Sequence, residues 1–128
     1  MKRHILACIT PQLHCKNIIS AAQLMAQGLG ATLCVVTVLP IKEKAKERAE
    51  KLKTLKSISD ECKVDIMIRY SDNPEVSIAA QAKQIKPLHV FMGEDNGFLT
   101  KFLSHYNQAP VSIVSKQVIF TVPQIKGA

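Results

Sequence analysis

Short apolar runs alternate along the chain with longer stretches in which apolar residues recur at helical spacing. The runs at 4–10, 32–39 and 88–92 are almost continuously apolar, which is typical of strands buried on both faces. Charged residues interrupt the run at 64–70, as expected of an edge strand. The predicted strands are 4–10, 32–39, 64–70, 88–92 and 111–114, and the predicted helices are 17–29, 41–62, 74–86 and 98–105.

Strands that alternate with helices favour an α/β fold, a single doubly wound five-stranded parallel sheet with helices on both faces. A further β-prone run at 117–122 predicts an additional C-terminal edge strand. We therefore predict one α/β domain over residues 1–116 and a strand-like tail over 117–128, which is a candidate dimerisation arm.

The predicted helices each carry a stripe of apolar or small residues that should face the sheet. The stripe is Ile18, Ala22, Met25 and Leu29 in the first helix, Ile41, Ala45, Ala49, Leu52, Leu55 and Ser59 in the second, and Val76, Ala79, Ala80, Ala82 and Lys83 in the third. Gly28 or Gly30 is expected to end the first helix. Asn73 and Pro74 are expected to begin the third.

The composition, 47% hydrophobic and 21% charged, predicts a globular chain. The apolar runs are all shorter than the ~20 residues that span a bilayer, so we expect a cytoplasmic protein without a membrane segment. The net charge is +7, and the densest basic segment, 42–56, interleaves acids in the manner of a solvated helix face, with Glu47 and Lys51 as one favourable pair. Because aromatic stacking platforms are few, we expect no nucleic-acid partner.

The four cysteines are predicted to be reduced and to behave as small buried hydrophobes. Zinc held by His14, Cys15 and a distant partner is a weaker alternative, because adjacent ligands give poor tetrahedral geometry. We therefore expect no metal. A cysteine nucleophile would need a histidine base, for which the candidates are His4, His14, His89 and His105. The sequence has no local signature for such a pair.

Ligands of parallel α/β sheets bind at the carboxyl ends of the strands. These ends are predicted at 10–12, 37–40, 71–73 and 93–97. The last of these segments is a turn between Gly93 and Gly97 that opens onto a predicted helix, a geometry that favours an anion. The polar residues expected at this edge assemble no catalytic set, so we expect no enzyme. They are Thr10, His14, Asp72, Glu94 and Asp95.

The order of elements and several segments resemble the universal stress protein family. The segments are ILACIT at 5–10, ISAAQLMAQGLGA at 19–31, VFMG at 90–93 and APVSIV at 109–114. The resemblance covers residues 2–115. It is greatest to the stress-protein domain of potassium-sensor histidine kinases, in which a small hydroxyl residue also ends the first strand.

This resemblance implies an adenine-nucleotide-binding, Rossmann-like fold and a site for ATP or AMP. The implied site residues are Thr10, Pro11, Gln12, Val38, Leu39, Gly93, Asn96 and Gly97. The ATP-binding members of the family have an aspartate at the position of Thr10, and their second loop glycine comes one residue earlier than Gly97. The closing Gly-Ser pair of their phosphate loop is absent here, and Glu94 and Asp95 add charge that opposes phosphate.

The resemblance thus implies a small non-catalytic regulatory protein that binds an adenine nucleotide. The alternative is a degenerate member that binds no nucleotide and acts as a dimeric protein-interaction module. Its homodimer interface would be the last strand, with Val111 and Ile113, together with the tail at 117–122. A cyclic dinucleotide and a nucleotide hydrolase or transferase are further, minor alternatives.

Overall fold

The computed structural model describes residues 2–12, 15–93, 98–115 and 119–123. Within these residues six strands form one sheet in the order β3-β2-β1-β4-β5-β6. The first five strands pair in parallel, and β6 pairs with β5 in antiparallel orientation. The elements are β1 (His4–Cys8), α1 (Lys16–Leu29), β2 (Thr32–Leu39), α2 (Ala45–Cys62), β3 (Ile66–Tyr70), α3 (Pro74–Ile85), β4 (His89–Gly93), α4 (Phe98–His105), β5 (Val111–Val114) and β6 (Ile119–Val122).

The predicted doubly wound parallel sheet, its edge strand β3 and its added C-terminal strand are therefore confirmed. Alternate residues of the central strands enter two separate cores, because successive side chains of a strand point to opposite faces. Ile5 and Ala7 pack on the side of α1 and α2, whereas Leu6 and Cys8 pack on the side of α3 and α4. This burial on both faces explains why the strand sequences are almost continuously apolar.

Helix α1 ends at Gly30, as predicted. Gly30 has a φ of 63°, a left-handed conformation that costs glycine little. Its N–H donates to the carbonyl of Gln27, and the N–H of Ala31 donates to that of Ala26 at 2.8 Å. These two bonds form a Schellman motif, which satisfies carbonyls at the helix end and turns the chain into β2.

Helix α2 begins at Ala45, four residues later than predicted, and the first half of its predicted stripe is wrong. Ile41 lies in the preceding loop and is 55% exposed, and Ala45 and Ala49 are exposed as well. The buried residues are Leu55 and Ile58, further along the helix. The start moves because residues 40–44 form a loop that side chains from outside it hold in place, as described below.

The charge pairs of this segment also differ from prediction. Lys51 pairs with Glu43 in the loop rather than with Glu47 one turn away. Arg48 donates through Nη2 to the carbonyls of Pro40 and Ile41, at 3.0 and 2.8 Å. These bonds favour a folded loop over another helical turn, and they leave the side chain of Glu43 only 5% exposed.

Helix α3 begins with Asn73 at the N-cap and Pro74 in its first turn, as predicted, although the Asn73 side chain caps no N–H. Its predicted stripe is partly wrong, because Val76 is 46% exposed and Lys83 and Ala80 face solvent. The buried residues are Ile78, Ala79, Gln81 and Ala82. The buried side chain of Gln81 has a hydrogen-bond partner on the sheet, since its Oε1 accepts a hydrogen bond from Arg69 of β3.

Val111 and Ile113, the residues of the predicted dimer interface, are 0% and 9% exposed within this chain's own core. Strand β5 is paired on one side with β4 and on the other with β6, so the outermost strand on that side is β6. The homodimer stays a prediction. Residues 117, 118 and 124–128 of the predicted tail lie outside the described residues.

Candidate ligand site

A partly enclosed cavity of about 230 Å³ lies at the carboxyl ends of β1, β2 and β4. The loop after β1 contributes Thr10 and Gln12, and the ends of β2 and β4 contribute Val38 and Gly93. Helices α1, α3 and α4 close the remaining wall through Ile18, Pro74, Ile78 and Phe98. This is the edge of the sheet where the strand order predicts a ligand.

The structure treats the eight predicted site residues differently, and half of them line the cavity. Thr10, Gln12, Val38 and Gly93 all line the cavity. Pro11 is half-buried in the same loop without lining the wall. The side chain of Leu39 is fully buried in the core beneath α1 and α2. The last two, Asn96 and Gly97, lie outside the described residues, as do His14, Glu94 and Asp95.

The loop after β1 is a compact turn that leads directly into α1. The N–H of Gln12 donates to the carbonyl of Thr10 at 2.7 Å, and the N–H of Cys15 donates to the carbonyl of Gln12 at 3.1 Å. These bonds leave the Thr10 and Gln12 side chains exposed at the rim of the cavity. A hydroxyl and an amide are thus available to a ligand as both donors and acceptors.

Gly93 lies where α1 approaches the end of β4 most closely. A Cβ atom at this position would lie 3.0 Å from Cδ1 of Ile18. This is tighter than nine in ten real Cβ contacts, so a side chain here requires Ile18 to shift by a few tenths of an ångström. The glycine therefore allows the first turn of α1 to pack against the strand end, next to the cavity.

The described wall carries no charged side chain, and polar and apolar surface contribute to it about equally. Its described lining contains no Lys, Arg, His, Asp or Glu side chain. Cys8 lines the inner end, and burial, with a smaller contribution from Cys34, raises the pKa of its thiol far above the usual range. Cys8 is therefore a neutral thiol at physiological pH, so this wall offers hydrogen bonds and apolar contact rather than acid–base chemistry.

The four cysteines are free thiols, of which Cys8 and Cys15 are buried, as predicted, whereas Cys34 and Cys62 are only partly buried. Burial is the main factor that raises the pKa of each thiol, which keeps them protonated and unreactive. Within the ranges that the structure describes, no three His, Cys, Asp or Glu residues are grouped so as to hold a metal ion.

His89, one of the candidate bases, is engaged at the opposite end of the sheet. Its Nε2 lies 2.6 Å from the hydroxyl of Ser112, which in turn lies 2.7 Å from the hydroxyl of Thr121. Ser112 is 2% exposed, so its oxygen is not accessible to a substrate. We interpret this polar chain as a link between β4, β5 and β6 rather than as a catalytic pair.

Sequence reasoning missed the helical part of the wall. Ile18 belonged to a predicted buried stripe and Phe98 began a predicted helix, but neither pattern indicates which residue borders a cavity. Ile78 was absent from the predicted stripe of α3. Helix residues enter a cavity wall through the rotation and tilt of the helix on the sheet, which the order of strands does not determine.

No protein-family model matches the chain, and no curated protein matches it in sequence. Among the helices of the described residues, none has the length and apolarity that crossing a membrane requires. Solved structures do match the fold. A protein of Pseudomonas aeruginosa UCBPP-PA14, provisionally named a universal stress protein, superposes with a TM-score of 0.75 at 16% identity. That match covers 89% of this chain, which spans only 48% of the Pseudomonas chain.

Two structures of similar length contain nucleotides. The universal stress protein of Archaeoglobus fulgidus in complex with dAMP matches with a TM-score of 0.64 at 14% identity, over 90% of this chain and 98% of that one. A universal stress protein in complex with cAMP matches with a TM-score of 0.66 at 13% identity, over 88% and 96% of the two chains. The chain therefore has the fold of the universal stress proteins, as the resemblance in sequence predicted.

Proposed function

We propose that this chain is a non-catalytic regulatory domain that binds an adenine nucleotide in the cavity at the carboxyl ends of β1, β2 and β4. The observation that carries the proposal is that this cavity lies at the predicted ligand edge and is lined by four residues predicted from sequence, Thr10, Gln12, Val38 and Gly93. Structures of the same fold that contain dAMP and cAMP support an adenine ligand.

The wall suits a planar base with polar edges. Val38, Ile78 and Phe98 supply apolar contact, and Thr10 and Gln12 supply hydrogen-bonding groups at the rim. Burying ~100 Å² of base surface contributes about 2–3 kcal/mol, and each hydrogen bond adds about 1 kcal/mol. Ordering costs reduce that sum, so we expect weak binding, with a Kd of roughly 1 mM or above.

A binding role without chemistry fits the residues of this wall. General acid–base catalysis needs a titratable side chain within hydrogen-bond reach of the ligand. The described wall offers a hydroxyl, an amide and the neutral thiol of Cys8. On this proposal the protein responds to ligand by occupancy and does not transform it.

The test is calorimetric titration of the full chain with AMP and ATP, alongside the shift in Tm at millimolar ligand. The variant Val38→Phe fills the cavity, and its matched control is Val76→Phe on the exposed side of α3. We expect Val38→Phe to weaken binding about tenfold or more and Val76→Phe to bind like wild type. The absence of any adenine-nucleotide binding, or equal binding by both variants, would overturn the proposal.

A second proposal concerns self-association through the C-terminal tail. Strand β6 lies at the edge of the sheet, and edge strands readily pair with another chain. We propose a homodimer that forms along β6. Light scattering after size exclusion should then give a dimer for the full chain and a monomer for residues 1–116. A monomeric full chain across the concentration series would remove this proposal.

A further inference from the structure

We infer that the cavity selects its ligand by charge, so that it binds an uncharged nucleoside more tightly than the corresponding nucleotide and binds more weakly with each added phosphate. The inference rests on the proposed function, because it concerns the ligand of the same cavity. It reverses the order expected of a site built around phosphates.

The composition of the wall is the first reason. The large side chains around the cavity are apolar: Ile18, Val38, Ile78, Met92 and Phe98. The polar groups at the rim, from Thr10 and Gln12, are uncharged. Such a wall matches a base and a ribose, whose hydroxyls need neutral partners. A phosphate that entered it would lose water without gaining a counter-charge from the described lining, which is unfavourable.

The basic side chain next to Val38 on the neighbouring strand, Arg69, does not line the cavity. Arg69 of β3 stands beside Val38 in the parallel register, on the same face of the sheet. Its guanidinium is bonded to Gln81, which lies three residues beyond Ile78 along α3, or about 4.5 Å further from the start of that helix. This bond holds the guanidinium of Arg69 beside α3, one turn beyond the part of the helix that borders the cavity.

Three helix N-termini, those of α1, α3 and α4, border the cavity and favour an anion, which opposes the inference. Helix α4 begins at Phe98 and has no acid in its first turn. Helix α3 begins at Pro74 and carries Glu75 in its first turn, and this acid already offsets the positive end of the dipole. Helix α1 has no acid in its first turn. The cation in that turn, Lys16, already has a counter-charge, because it forms an ion pair with Glu61 of α2. A helix end attracts an anion only weakly, whereas removing water from a phosphate is strongly unfavourable, so the second effect dominates.

The size of the cavity leads to the same conclusion. At about 230 Å³ it is smaller than the roughly 300–1,000 Å³ of pockets that enclose drug-sized ligands. A nucleoside-sized ligand would fill that volume, so a phosphate bound within the wall would have to lose its water.

The experiment is a charge-graded titration of the full chain with adenosine, AMP and ATP at one fixed ionic strength. We expect adenosine to bind about tenfold or more tightly than AMP, and ATP to bind most weakly. AMP or ATP binding more tightly than adenosine overturns the inference and leaves the proposed function standing. If none of the three ligands binds, the proposed function itself fails, so the two failures are distinguishable.

A charge added at the rim gives a second readout. Gln12→Lys places a cation beside the cavity, and Gln84→Lys makes the same change at an exposed position on α3 that does not line it. Gln12→Lys should raise the ratio of AMP affinity to adenosine affinity about fivefold and make AMP binding sensitive to salt, whatever the loss of the Gln12 amide does to both ligands. Gln84→Lys should leave all three affinities unchanged. An equal effect of both variants would contradict selection by charge at this wall.

Discussion

Nε2 of His89 on β4 lies 2.6 Å from the hydroxyl of Ser112 on β5, at the end of the sheet opposite the cavity. The same hydroxyl contacts Thr121 on β6, so three adjacent strands are linked by side chains as well as by the backbone. Burial lowers the pKa of His89, because the imidazolium loses solvation there. This link makes the stability of the fold sensitive to acid.

We predict that stability falls as the pH is lowered below the usual histidine range. The pKa of His89 is lower in the folded chain than in the unfolded chain, so the unfolded chain binds more protons as the pH drops. The stabilising effect is complete above the unfolded pKa near 6.5 and is lost as the pH falls towards the folded pKa. Urea unfolding at pH 8, 6.5 and 5 measures this dependence. His89→Gln should flatten it, whereas His105→Gln, at an exposed position on α4, should not; identical slopes for wild type and His89→Gln would contradict the assignment.

Phe102 is predicted to be the most sensitive position of the core beneath α3 and α4. It is fully buried, with ring centroids 6.2 Å from Phe98 and 5.6 Å from Tyr106. Phe102→Ala should lower the free energy of unfolding by about 3–5 kcal/mol through lost contacts and the cavity that it creates. Leu24→Ala, at a side chain that is 72% exposed, should change it by less than about 0.5 kcal/mol. Chemical denaturation of the two variants measures the difference, and comparable losses would show that the packing of α4 is wrong.

Arg48 is predicted to hold the loop between β2 and α2. Its guanidinium donates to the carbonyls of Pro40 and Ile41 and lies 4.9 Å from the ring centroid of Tyr70. Arg48→Ala should cost about 2 kcal/mol and speed amide hydrogen exchange at residues 41–44. Lys56→Ala, in an exposed pair with Asp60, is the control and should cost less than about 0.5 kcal/mol. Unchanged exchange in Arg48→Ala would mean that the loop is held by other contacts.

The order of strands and helices was predictable because each strand shows nearly continuous burial and each helix shows periodicity. The errors have local causes. Residues 41–44 have a composition suited to a helix, yet Arg48 and Glu43 stabilise a loop there through contacts that helical spacing does not reveal. In α3, small residues around the whole helix made the buried face ambiguous. Gln81 is buried because it has a partner, Arg69, on β3, which the sequence of the helix does not reveal.

For the site, the rule that ligands lie at the carboxyl ends of parallel strands predicted Thr10, Gln12, Val38 and Gly93, all of which line one cavity. Leu39 differs from its neighbour Val38 because adjacent strand residues face opposite sides, which places its side chain in the other core. A range of strand-end positions therefore includes residues of both faces, and burial is needed to separate them.

The close approach between Gly93 and Ile18 predicts that Gly93→Ala changes the free energy of unfolding in a direction that depends on the side chain at position 18. Gly93→Ala would place a Cβ atom 3.0 Å from Cδ1 of Ile18, so we expect a loss of about 1 kcal/mol in the free energy of unfolding. Ile18→Val removes that Cδ1 atom and leaves the next Ile18 atom 3.9 Å away, an ordinary contact. In the Ile18→Val background the same Gly93→Ala change should be neutral or stabilising by about 0.5 kcal/mol, because alanine suits a strand better than glycine does. A double-mutant cycle of urea unfolding measures this coupling, and an equal effect of Gly93→Ala in both backgrounds would exclude steric contact with Ile18 as the reason for the glycine.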